Sequence, residues 1–211
     1  MKLNNNSIKL ILVSSLAAAV IGCSGDAGSS NTAGTTPPSQ AAATNSHSGG
    51  HMHDMAMGTQ GMAALNKLSD RDFDVAFMSQ MITHHQGAID MAEQTLKVAQ
   101  RPETKQEAQK VIDGQTREIA QMEGWLKDWY DTAPSKEQQD LMHQDMAAMM
   151  GMQITDDSMF FDMMIPHHQG AVEMSQLAME KSPRQELKDL AAKMKRAQTE
   201  EIQKYQELAR E

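Results

Sequence analysis

Apolar residues recur at three- and four-residue spacing over most of the chain's second half. From Asp70 onward, Met78, Ile82, His85, Ile89, Ala92, Leu96 and Ala99 fall on one stripe, the mark of an amphipathic helix. Ser69 or Asp70 can cap this helix, which runs to about Gln100 before Arg101-Pro102 interrupts it. Pro102 suits the first turn of a second helix, ending near Tyr130 before Ala133-Pro134. A shorter helix spans Ser135 to Met150 and stops at Gly151. Thr155 or Asp156 opens another long helix to about Lys181, and Ser182-Pro183 introduces the last. No segment reads as a strand. Four long helices with short breaks predict an all-α, antiparallel four-helix bundle with a short extra helix in its middle.

The bundle is predicted to be a duplication. Met81-Ile82-Thr83-His84-His85-Gln86-Gly87-Ala88-Ile89-Asp90-Met91 matches Met164-Ile165-Pro166-His167-His168-Gln169-Gly170-Ala171-Val172-Glu173-Met174 at an offset of 83 residues. At the same offset, Gln115-Thr116-Arg117-Glu118-Ile119 matches Gln198-Thr199-Glu200-Glu201-Ile202. The repeating unit is therefore a helix pair, about residues 70–131 and 155–211, within a bundle over 69–211. On a helix, Met81 stands one turn before His84 and His85, and Met91 two turns beyond His84. Met164, His167, His168 and Met174 repeat that arrangement. Thr83 stands where the second copy has Pro166, so the first helix is expected to be less bent there.

Composition sharpens the chemistry. The chain has 211 residues, with 20 methionines, one cysteine and only 4% aromatics. Core packing does not require methionine, since leucine fills helical cores with better-defined rotamers. Thioethers select soft Cu(I), whereas imidazole serves copper, zinc and nickel alike, so copper is the metal that uses both. His84, His85, His167 and His168 with Met81, Met91, Met164 and Met174 are thus the leading candidate ligands. Gln86 and Gln169 are candidates to orient an imidazole through its second nitrogen. Asp90 and Glu173 either do the same or face solvent. A single buried histidine or methionine is ordinarily core, but two matched His-His pairs bracketed by Met are harder to read that way. The short middle helix adds Met142, His143, Met146, Met149 and Met150, with Met152 just after it, as a soft-metal surface or a flexible packing patch.

The N-terminal part reads as export and tether. Lys2 and Lys9 flank an apolar run from Leu10 to Ile21, about the length of a signal-peptide core and too short to span a bilayer. The run ends in Val20-Ile21-Gly22-Cys23, which resembles a bacterial lipobox with Cys23 as the lipidated residue and 1–22 as the signal. Ser24 rather than Asp after it resembles outer-membrane sorting in a Gram-negative cell, so the expected location is the periplasm or cell surface. Residues 23–68 are rich in Gly, Ser, Thr, Ala and Asn around Pro37-Pro38, the composition of a flexible tether. Within it His47, His51, Met52, His53, Asp54, Met55, Met57 and Met62 form a second metal-capturing run, His-rich enough for Cu(II). Lipidation of Cys23 leaves the mature chain without a thiol, excluding disulfides and cysteine metal sites. Loss of Lys2 and Lys9 moves the formal charge from −9 to −11. An acidic chain without a basic cluster excludes nucleic acid as a partner and suits a cation.

The doubled Met-Ile-x-His-His-Gln-Gly-Ala motif, followed by an acidic residue and Met, resembles that of the domain of unknown function 305 family. The resemblance covers about residues 70–210. It implies a ferritin-like helical bundle, export, and copper-ligand roles for His84, His85, His167 and His168 with their neighbouring methionines. Together these readings describe a binding protein that sequesters or relays copper, with copper ions, the membrane and a copper-transfer protein as partners. Two other readings compete. A ferritin-like di-iron oxidase needs Glu-x-x-His on two helices, whereas Met81-x-x-His84 stands at that spacing and Asp140-x-x-His143 occurs once. A helical interaction module with Met-rich grooves would ignore metal altogether. No serine-histidine-aspartate set, phosphate loop or cysteine pair supports catalysis, and the chain is read as a non-enzyme.

Overall fold

A computed structural model describes residues 59–211. Signal segment 1–22, Cys23 and tether residues 24–58, including His51, Met52, His53 and Met55, lie outside the described residues. Six helices and no strand make up the described part: α1 (Thr59–Asn66), α2 (Asp70–Val98), α3 (Pro102–Tyr130), α4 (Lys136–Met150), α5 (Asp157–Lys181) and α6 (Gln185–Leu208).

The long helices end for local reasons. Pro102 occupies the first turn of α3, where its missing N–H costs nothing. Asp131 takes a left-handed conformation (φ 46°) after Tyr130, and the Thr132 amide returns to the Leu126 carbonyl at 3.2 Å. This is the tight C-terminal closure more often built on glycine. Asp156 caps α5 by accepting from the Met159 amide at 2.9 Å. Ser69 and Ser135 occupy the cap positions of α2 and α4 but make no side-chain cap bond.

Four long helices pack as an antiparallel bundle, and particular pairs fix the directions. Asp74 and His85 of α2 meet Tyr130 and Glu118 of α3. On the other side, His168 meets Glu201 and the Phe160 ring lies tilted 6.1 Å from that of Tyr205, pairing α5 with α6. Lys193 and Lys204 of α6 reach Glu118 and Glu107 of α3. α2 and α5 cross at the middle, where His84 meets His167. To one side of that crossing lies an apolar cluster with Phe73, Phe77, Met81, Met122, Leu126 and Met174. To the other lies a second, with Met91, Val111, Phe160, Phe161, Met164 and Tyr205. Each large apolar side chain withdrawn from water contributes about 1.5–3 kcal/mol.

The tether assigned to residues 23–68 does not run to 68. Thr59–Asn66 forms α1, with Leu65 fully buried. Eight residues are too few for a helix in isolation, so docking must hold α1. Asp145 of α4 accepts from the Gln60 and Gly61 amides at 3.2 and 2.7 Å. At the far end, Lys181 Nζ donates to the Leu65 and Asn66 carbonyls at 3.1 and 2.7 Å. Gly61 lets α1 approach α2 closely, because a Cβ there would lie 2.6 Å from Gln80 Oε1 and the end of that side chain would have to shift.

Candidate metal centre

The duplicated motif places all four histidines in the bundle interior. His84, His85, His167 and His168 are each no more than 1% exposed. The rings of His84 and His167, from different repeats, lie 3.8 Å apart at 38°. Within each pair the two rings keep nearly the same relation, 6.4 Å for His84 and His85 and 6.2 Å for His167 and His168, both at 57°. The sequence duplication is therefore a pseudo-twofold in space with its axis near the His84–His167 contact.

The outer imidazoles are each held by a carboxylate. His85 Nε2 lies 3.0 Å from Glu118 Oε2, and His168 Nε2 lies 2.9 Å from Glu201 Oε2. These acids are 83 residues apart, like the histidines they meet. Burial opposes ionisation of Glu118, but the hydrogen bond and charge of His85, with Lys193 at 3.7 Å, outweigh it and hold the carboxyl below its ordinary range. A carboxylate on one ring nitrogen fixes the orientation of an imidazole and leaves the other nitrogen for a metal. In His85 and His168 that other nitrogen is Nδ1.

The inner pair is bare. Both ring nitrogens of His84, of His167 and of His168, and Nδ1 of His85, are buried without a hydrogen-bond partner, since His168 Nε2 approaches Glu201 as an ion pair without hydrogen-bond geometry. Each unsatisfied buried polar atom costs roughly 1–3 kcal/mol. Seven of them approach the total stability of an ordinary domain, about 5–15 kcal/mol. Such a cluster calls for something to bind it. Burial, and then the charges of neighbouring histidines, pushes His84 and His167 well below the usual imidazole range. Both are therefore neutral at physiological pH, the form that ligates metals.

Methionines are frequent in the two apolar clusters that flank the crossing. Met81 and Met174 lie in the first apolar cluster with Met142 and Met146. Met91 and Met164 lie in the second, with Met149. Met150 packs against both. Among the described residues no group of three or more His, Cys, Asp or Glu could hold a metal ion.

Several sequence readings are redistributed. The middle segment splits, since Met142, Met146 and Met149 point inward while His143 is exposed. Gln86 and Gln169 do not orient an imidazole: both are exposed and donate instead to Asp90 (2.8 Å) and Glu173 (3.2 Å) one turn on. Glu118 and Glu201 make those contacts to the histidines instead. The signal for them was the second matched segment, which carries a glutamate at the same place in both copies. Tyr205 was not singled out either. Its ring lies 5.6 Å from His168, and its buried hydroxyl has no partner, so burial pushes its ionisation far up.

The family pattern described as domain of unknown function (DUF305) matches residues 24–123 and again 74–209. The chain belongs to the DUF305 family. No curated protein matches it. Among solved structures, CopM in its Cu(II)-bound form is 34% identical with a TM-score of 0.57, over 65% of this chain and 95% of CopM. CopM in its Cu(I)-bound form gives 34% and 0.55, over 64% and 93%. A DUF305 protein from Streptomyces coelicolor, described as secreted, gives 25% and 0.55, over 63% and 88%. Membership agrees with the all-α fold and the doubled DUF305 motif. No helix among the described residues is long and apolar enough to cross a membrane.

Proposed function

We propose that the protein binds copper outside the cytoplasm, sequestering or relaying it to keep the free ion low, and does not act as an enzyme. The observation that carries this reading is the meeting of His84 with His167, with four unpartnered ring nitrogens buried between two repeats. His84, His85, His167 and His168 are its nitrogen donors. Met81, Met91, Met164 and Met174 are its nearest sulfur candidates within the repeats. Similarity to CopM, solved with Cu(I), Cu(II) and silver, supports copper binding. Cu(I) is the favoured ion at the bundle, because thioethers prefer it. Residues His51, Met52, His53 and Met55 supply a second capture point able to take Cu(II). Lipidation at Cys23 would hold the protein at the membrane, within reach of a copper-transfer protein. The described secretion of the Streptomyces coelicolor relative supports placement beyond the cytoplasm.

The test is an anaerobic Cu(I) titration against a competing chelator, comparing the chain with a variant in which all four histidines become alanine. Cys23→Ala in both proteins removes the lone thiol as a competing ligand. Tight binding lost in the variant supports the reading. Equal binding in both moves copper away from the bundle, and absence of tight binding in either removes copper from the account.

A further inference from the structure

Both tryptophans of the chain stand one turn apart near the end of α3, at one end of the bundle. The rings of Trp125 and Trp129 stack 4.5 Å apart at 15°, and Tyr130 meets Trp129 edge-on at 6.2 Å. Two guanidiniums join them from distant parts of the chain. Arg184, at the α5–α6 turn, lies 4.7 Å from the centre of the Trp129 ring and 5.5 Å from that of Tyr130. Arg71, in the first turn of α2, lies 5.8 Å from the Tyr130 ring. The three aromatic side chains are half-buried and pack against the apolar cluster that holds Phe73, Phe77 and Leu126. Among the described residues neither indole N–H has a protein acceptor, and neither nitrogen is sealed in the interior. Asp74 accepts from the Tyr130 hydroxyl at 2.6 Å, Asp131 pairs with Lys127 and Asp72 lies 3.8 Å from Arg71. Asp70 and Asp128 stay exposed at the rim.

We propose that this end of the bundle is a membrane-contact face, where Trp125, Trp129 and Tyr130 enter the headgroup layer of a phospholipid bilayer and Arg71 and Arg184 take lipid phosphates. A core tryptophan ordinarily satisfies its N–H inside the protein. Rings with an apolar body and a wet polar edge suit the headgroup layer, where tryptophan and tyrosine gather. Guanidinium adds a planar fork of donors that matches phosphate. The inference is independent of copper and rests on the reading of Cys23 as a lipid anchor. Residues 23–58 lie between that anchor and α1, and a Gly- and Ser-rich chain of that length spans roughly 30 Å. The anchor alone therefore leaves the bundle free to turn, and the aromatic face selects the end that meets the bilayer. His84 then stands about 20 Å along α2 from Arg71, clear of the headgroups.

The experiment uses residues 23–211, which keep all six helices, coupled through the Cys23 thiol to a maleimide-bearing lipid. The vesicles are of phosphatidylethanolamine and phosphatidylglycerol. Cys23 is the chain's lone cysteine and Trp125 and Trp129 its only tryptophans, so attachment and fluorescence each report one place. On coupling, tryptophan emission should shift to shorter wavelength, and lipids brominated in the upper acyl chain should quench it. Arg71→Gln/Arg184→Gln should lose most of both effects with circular dichroism unchanged. Arg71→Gln alone, at an exposed side chain, should lose part of them and serves if the pair disturbs the fold. Coupled protein with the emission and quenching of free protein overturns the contact and leaves the Cys23 reading intact, because the coupling is chemical. Quenching that ignores both arginines overturns their phosphate role. A concentration-dependent shift in free protein, with dimers in sedimentation, makes the face a self-association surface and overturns the proposal. Palmitate labelling in cells, expected in wild type and lost in Cys23→Ala, tests the anchor separately; its absence from wild type removes the tether and the proposal with it.

Discussion

Burying two neutral imidazoles makes the metal-free fold sensitive to mild acid. His84 and His167 are held well below their ordinary range by burial and then by neighbouring histidine charge. In the unfolded chain each titrates near about 6.5. The folded value is the lower one, so the unfolded state takes up protons first and stability is lost as pH falls below about 6.5. Each group forfeits about 1.4 kcal/mol per pH unit once the unfolded form is protonated and the folded form is not. Between pH 7 and 5.5 the pair costs at most about 2.5 kcal/mol, the limit reached when both imidazoles stay neutral in the fold over that whole range. Glu107, bonded by Lys110 and Lys204 at 2.7 Å, has its carboxyl lowered despite burial, and its contribution fades only below about pH 4.3. Asp74, pushed up chiefly by burial, works in the opposite direction and is controlled for with Asp74→Asn. The assay is urea unfolding of metal-free protein across this pH range, beside His84→Gln/His167→Gln. The wild type should lose stability steeply and the double variant much less. Equal pH dependence in the two proteins would refute the claim that these imidazoles are buried and neutral.

Three further outcomes follow from particular contacts. Gly87→Ala gains about 1 kcal/mol of helix propensity over glycine, which offsets its crowding of Met150 Sδ at 3.2 Å, and should lower Cu(I) affinity by placing a methyl group near Met150 Sδ and His167 Nε2. Unchanged affinity would place the ion elsewhere. Glu118→Gln and Glu201→Gln should each weaken copper binding about 10- to 100-fold, the usual effect of losing a carboxylate behind a ligating imidazole, while circular dichroism stays unchanged; full affinity in both would limit the acids to a structural role. Asp145→Ala removes the acceptor at the α1 N-terminus and should cost about 1 kcal/mol, with faster amide exchange confined to 59–66. Unaltered exchange there would show that Lys181 and Leu65 suffice to dock α1.

The sequence carried most of the fold because its signals were local and repeated. Pro102, Asp156 and Gly151 mark helix ends that the structure places within a residue or two. The 83-residue offset exposed the pairing of helices, and it held Glu118 and Glu201 in plain sight. They were overlooked because a contact between helices leaves no periodic trace, whereas Gln86 and Gln169 sit beside the histidines in the chain and drew the role instead. Helical geometry corrects that choice. A residue next to His85 points about 100° away from it, and both glutamines find their partners at the surface. α1 escaped notice because Gly61 and the small residues around it resemble linker composition, and its stability comes from Asp145 and Lys181, far away in sequence. His143 illustrates the reverse: Met142 beside it is buried while His143 faces solvent, so adjacency in sequence did not make a shared site.

The most direct test of the account is to locate the ion. Crystals of the protein grown with Cu(I) under anaerobic conditions, with anomalous data at the copper edge, should show one strong peak between the His84 and His167 rings at the α2–α5 crossing. A crossing without copper, with the peaks instead at surface methionines or beside His143, would contradict the central claim.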